Sequence, residues 1–105
     1  MAFKTVFIAH APDADPEKHH HLIETGRYRL FTYVVKSQDE ALRVCKDLYR
    51  KEKIESVLLC PGFTHKDVAE IFEALDGQVA VCVARGDGPS SKITGPILQR
   101  EFFGK

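Results

Sequence analysis

Apolar positions in this chain recur with two periods, and the switches between them outline the elements. Phe3-Lys4-Thr5-Val6-Phe7-Ile8-Ala9 is short, apolar and β-prone, which predicts a strand. His10-Ala11-Pro12-Asp13 ends it. Asp15-Pro16 has the form of an N-cap followed by proline in the first helical position. A short helix to about Thr25 is expected there, with Leu22 and Ile23 turned inward and Gly26 as a left-handed cap. Tyr28 to Val35, dominated by β-branched and aromatic residues, predicts the second strand.

Ser37-Gln38-Asp39-Glu40 reads as a capping box. Behind it Ala41, Leu42, Val44, Cys45, Leu48 and Tyr49 recur at helical spacing, up to a cationic end at Arg50-Lys51-Glu52-Lys53. Ile54 to Cys60 is the third predicted strand, apolar on both faces as an interior parallel strand is. Pro61-Gly62-Phe63 breaks it. Thr64, with Asp67 three residues on, opens a helix whose inward stripe is Val68, Ile71, Phe72 and Leu75 and which Gly77 closes. Gln78 to Ala84 predicts a fourth strand. The remainder begins rich in Gly, Pro and Ser and ends in Ile93, Ile97, Leu98, Phe102 and Phe103.

The order β-α-β-α-β-α-β implies a parallel sheet wound by right-handed crossovers. The expected fold is a small three-layer α/β domain, a flavodoxin-like half sheet of strand order 2-1-3-4, spanning residues 1–105 with 86–105 as a C-terminal tail. The alternative is a ferredoxin-like α+β sandwich. It needs hairpins, and no Asn-Gly or Asp-Gly turn joins two strand-like runs. The last strand lies at an edge in the preferred order, and Val79 to Ala84 carries no Lys, Pro or other edge protection. A covering tail or a partner is expected, and with it a homo-oligomer.

The 105 residues are 44% hydrophobic and 29% charged, so disorder and coiled coil are excluded as descriptions. Fifteen basic residues balance fifteen acidic ones. That balance argues against a nucleic-acid partner or an anionic membrane surface, and no apolar run is long enough for a span. The first residues enter a strand pattern at once, without the features of a signal peptide. Cys45, Cys60 and Cys82 stand in apolar stretches with no C-x-x-C pair, which predicts buried free thiols, a cytoplasmic location and no structural zinc. No cofactor motif is present, so none is expected.

In an open parallel sheet, ligands bind beyond the carboxyl ends of the strands, where strand order reverses. The first strand delivers His10 there and the third delivers Cys60 through His65. Arg85 follows the fourth, and Lys36 and Ser37 the second. The candidate ligand site is therefore His10, Gly62, Phe63, Thr64, His65 and Arg85. Cys60 at a strand-to-helix turn has the place of a nucleophile, but Pro61 lacks the N–H that an oxyanion hole takes from the next residue. A structural thiol is the simpler reading. On a helix, His19-His20-His21 point about 100° apart and cannot share one ion. Glu17 with His21, or His20 with Glu24, would supply only two ligands, so no metal site is assigned.

Ala11-Pro12-x-Ala14-Asp15-Pro16-x-Lys18-His19 after the first strand, with Cys60-Pro61-Gly62-Phe63-Thr64-His65 after a later one, resembles a family of small bacterial and archaeal α/β proteins of unknown function. The resemblance spans most of residues 3–85. It implies a small α/β fold and a bacterial or archaeal source, and it carries no activity with it. Two functions are thus expected: a small-molecule-binding protein, with or without a reaction, using the rim; or a non-catalytic oligomeric assembly or regulatory module using the tail and the edge strand.

Overall fold

The computed structural model describes residues 1–104. Its elements in chain order are β1 (Phe3–His10), β2 (His20–Glu24), β3 (Tyr28–Val35), α1 (Gln38–Glu52), β4 (Ser56–Leu59), α2 (His65–Ala74), β5 (Ala80–Val83) and α3 (Gly88–Leu98), followed by a π-helical turn at Gln99–Phe103. The five strands form one sheet in the order β2-β3-β1-β4-β5. β1 pairs in parallel with β3 and β4, and β4 with β5. These four strands are the expected ones in the expected order.

The difference lies at the other edge. Residues 15–25 do not form a helix. Asp15 to His19 make turns, and His20–Glu24 is a strand, antiparallel to β3 with Leu22 opposite Phe31. A hairpin turn at Thr25 to Tyr28 sets this pairing. Thr25 N donates to Tyr28 O at 2.9 Å, and Thr25 Oγ1 accepts from the N–H groups of Arg27 and Tyr28. A threonine hydroxyl thus organises the turn as an Asn or Asp side chain would. Gly26 keeps an ordinary backbone and caps nothing; the glycine that needs a positive φ is Gly77, at 65° after α2.

The loss of that helix removes a layer. The connections β3-α1-β4 and β4-α2-β5 step in the same direction across the sheet, so crossovers of one hand put both helices on one face. α1 and α2 pack against each other there. The fully buried strand residues Val6, Ile8, Val35, Val57 and Leu59 all point to that face, toward Ala41, Cys45, Ile71 and Leu75. The opposite face carries no helix, and the expected three layers become two.

Local chemistry fixes the helix ends. Ser37 Oγ accepts from Glu40 N at 3.2 Å, while Glu40 reaches past Ser37 to accept from Lys36 N at 2.8 Å. Thr64 forms the complete capping box: its Oγ1 accepts from Asp67 N at 3.1 Å and its N donates to Asp67 Oδ2 at 2.9 Å. α3 has Pro89 in its first turn and Pro96 inside, and buries no residue. Cys45 is buried, Cys60 half-buried, and Cys82 exposed, against the expectation of burial for all three. Cys82 lies on the helix-free face, which a count of apolar neighbours in sequence does not reveal. Burial pushes the Cys45 thiol up to about 12, leaving it inert at neutral pH.

The Thr64 cap gives the first prediction. Thr64→Ala should lower unfolding free energy by about 1 kcal/mol in denaturant melts, with an unchanged denaturant slope. A loss below roughly 0.3 kcal/mol would mean that Asp67 alone satisfies the helix start.

Candidate functional site

All three helices begin at the carboxyl end of the parallel strands, because each follows one. Their first turns, with the ends of β1 and β4, surround a cavity of about 1040 Å³. Its polar lining is His10, Ser37, Gln38, Asp67, Arg85, Ser90 and Ser91. The C-terminal segment lines it with both kinds of residue, Ser90, Ser91 and Thr94 together with apolar Leu98, Phe102 and Phe103.

The floor is built around His10. The imidazole stacks on Phe63, with ring centroids 4.1 Å apart and planes 21° from parallel. Phe63 is itself buried in the core. Cys60 Sγ lies 3.8 Å from His10 Nδ1. Gly62 permits this closeness, since a Cβ there would stand 3.2 Å from His10 Nδ1 and 3.6 Å from Cys60 Sγ. Burial lowers the His10 pKa from its ordinary value, and the Asp67 carboxylate opposes that shift without overcoming it. At neutral pH the ring is therefore uncharged, and it can donate one hydrogen bond and accept another.

Across the cavity, Gln38 Nε2 donates to Asp67 O and to Glu70 Oε1, both at 3.1 Å, tying the start of α1 to α2. Gln38 Oε1 is buried with no partner among the described residues. Arg85 Nε pairs with Asp87 Oδ1 at 2.6 Å, and most of the guanidinium faces solvent. That pairing holds Asp87 away from α3, whose N-terminus has no side-chain cap.

Of the six residues singled out from sequence, His10, Gly62 and Arg85 line the cavity and Phe63 supports His10 from behind. Thr64 and His65 do not line it: the Thr64 hydroxyl is engaged in the cap, and His65 is exposed in the first turn of α2. Sequence reasoning missed the wall from the C-terminal segment. Its signal was present, in Asp87-Gly88-Pro89 as a helix start and Ile93, Ile97 and Leu98 at helical spacing. The histidine run has a structural role. His19 Nδ1 accepts from Asp15 N at 2.9 Å, and His20 stacks on Tyr33 with Nδ1 2.8 Å from Pro16 O. In extended β2, residues four apart are roughly 13 Å from each other and Glu17 lies in the preceding turn, so the helical pairings of His20 with Glu24 and of His21 with Glu17 do not form. Among the described residues, no three His, Cys, Asp or Glu side chains gather as a metal site.

A mixed sheet with helices on one face and a cavity at its carboxyl rim makes this a two-layer α/β protein. The chain belongs to the family of unknown function DUF6506, whose model matches residues 3–94. No curated protein and no solved structure matches it. No helix among the described residues is long and apolar enough to cross a membrane.

The electrostatics of His10 are measurable. Its imidazole should titrate below 6.5 by NMR, and Asp67→Asn, which removes the group raising the pKa, should move the midpoint lower still. A depressed pKa means the unfolded chain binds the extra proton first. Stability is then lost as pH falls below 6.5 through the folded-state midpoint. A midpoint above 6.5 would show that the Asp67 carboxylate outweighs burial at this ring.

Proposed function

We propose that the rim cavity binds a small organic acid with an apolar body. The observation that carries this reading is the convergence of three helix N-termini on a cavity that Leu98, Phe102 and Phe103 also line. Helix starts present free N–H groups and a partial positive charge, which favour an anion. Arg85 and Lys36 stand at the same rim, paired with Asp87 and Glu40 but largely exposed, so each has donors left for an anion. Neutral His10 offers a neutral polar contact beside the anion. The apolar lining accommodates rings or short alkyl chains, as ligand pockets commonly do. The Cys60–His10 pair lies within the cavity, but Pro61 withholds the adjacent N–H, so binding rather than acyl transfer is the reading adopted.

A second reading, a homo-oligomeric assembly module, is favoured by one observation: α3 buries none of its residues against its own chain. In that reading β5, a sheet edge, and the C-terminal segment make the contacts between copies.

A panel of aromatic and medium-chain aliphatic carboxylates tests the first reading by thermal shift and calorimetry. At least one member should raise the Tm in a concentration-dependent way. Arg85→Ala should weaken its binding about tenfold, the scale of one charge-assisted hydrogen bond. His65→Ala, outside the cavity, should leave it unchanged. No stabilisation by any member, or equal binding by Arg85→Ala, would overturn the reading.

A further inference from the structure

The most unusual surface of the molecule is the sheet face that the helices leave bare. It comprises alternate positions starting from Phe3 in β1, His21 in β2, Tyr28 in β3, Ser56 in β4 and Ala80 in β5. No Asp, Glu, Lys or Arg stands at any of them. Sheets with one face in water alternate apolar-in with polar-out. Here Phe7, Leu30 and Val34 point outward at the centre, with Ile23, Leu58 and Cys82 toward the edges. Ile23 is 53% exposed and Leu58 36%. The charges of the same strands lie on the other side, where Arg29 bridges Glu24 at 3.0 Å and Glu52 at 3.1 Å, and Lys4 Nζ donates to Glu52 O.

We propose that this face is the interface with a second copy of the chain, the two bare faces stacked about a two-fold axis. Three observations select a second copy over another occupant. The face lacks charge, so it offers nothing for an oppositely charged partner, whereas it is complementary to itself, as a two-fold contact requires. The chain has no net charge, so two copies do not repel. The area is also sufficient. Five strands about 4.8 Å apart give a face roughly 24 Å wide, and the strands run roughly 20 Å. Stacking two such faces covers on the order of 1,000 Å², the lower limit for a specific interface. The C-terminal segment, with Ile93 70% and Phe103 68% exposed, is free to add to that area across the partner.

This goes beyond the edge-and-tail assembly above, because it places the contact on a different surface. Light scattering across micromolar concentrations, with Cys82 as a native thiol probe, tests it. The wild-type chain should have twice its 11.8 kDa mass, and Cys82 should resist maleimide. Leu58→Glu should weaken association more than about 100-fold, since it buries an unpaired charge, and should open Cys82 to labelling with an unchanged circular dichroism spectrum. Ile23→Lys, at the sheet edge, should act in the same direction and serves if Leu58→Glu does not fold. A wild-type species of single-chain mass overturns the proposal, including one with Cys82 protected, which would mean that the chain's own C-terminal segment covers the face. A dimer that keeps its affinity in both variants and leaves Cys82 reactive overturns it too, and leaves the edge-and-tail contact standing.

Discussion

Val6 and Ile8 sit at the middle of the sheet, fully buried, flanked by Phe31 and Val35 on β3 and by Val57 and Leu59 on β4. Burying a residue of this kind contributes roughly 1.5–3 kcal/mol, so this strip is a main source of stability. It is also a constraint. A one-residue slip of β1 would turn its apolar set to the opposite face. Register is thereby held on both sides of β1, and the ends of the strands are held with it. His10 follows Ile8 by two positions and therefore lies on the covered face, where it meets Phe63. Cys60 follows Leu59, and its N–H donates to Ile8 O at 3.0 Å. The rim cavity thus inherits its floor from the same contacts that hold the sheet together.

The polar part of the rim follows from topology rather than from any one motif. β3, β4 and β5 are each followed directly by a helix, so every helix starts at the same end of the sheet, while β1 returns through antiparallel β2. Ser37, Thr64 and Asp67 at those starts satisfy backbone N–H groups, and of these Ser37 and Asp67 also line the cavity. α3 is the exception. Asp87 turns to Arg85, and the first N–H groups of that helix have no side-chain cap. Free donors at a helix start next to a cavity are available to an incoming anion.

Most of the parallel sheet was legible because its strands are continuous apolar runs and its helices carry caps. Ser37 and Thr64 are at the helix starts where their spacing to Glu40 and Asp67 put them. β2 was not legible, for a physical reason. Asp15-Pro16 is a valid helix start, and Leu22-Ile23 are adjacent, which fits a helix face as readily as a strand. The deciding element was the turn, and it is made by Thr25 Oγ1 rather than by Asn-Gly or Asp-Gly. His65 lies outside the cavity for another reason. Proximity in sequence to Gly62 and Phe63 says nothing about direction, and the first turn of α2 carries His65 to the solvent side. Arg85 and His10 line the cavity because a residue at or just past a strand end has little freedom to be elsewhere.

Replacing a helix by β2 changes more than one element. In a doubly wound sheet the helix after the first strand covers the second face, and the alternate positions of the strands become core. Here Phe7, Leu30 and Val34 keep side chains suited to a core while the covering element is absent. β2 widens that face instead of covering it, adding Ile23. The C-terminal segment shows the reverse: apolar residues at helical spacing and no buried contact of their own. One chain therefore carries both an uncovered apolar sheet and an undocked apolar helix. The segment also lines the rim cavity, through Leu98, Phe102 and Phe103 among others. Any contact that repositions α3 must reshape that lining, so occupancy of the rim and packing of the C-terminal segment are linked through the same side chains. Such linkage is reciprocal by thermodynamic necessity: whatever orders the segment alters the affinity of the cavity, and whatever fills the cavity alters the packing of the segment.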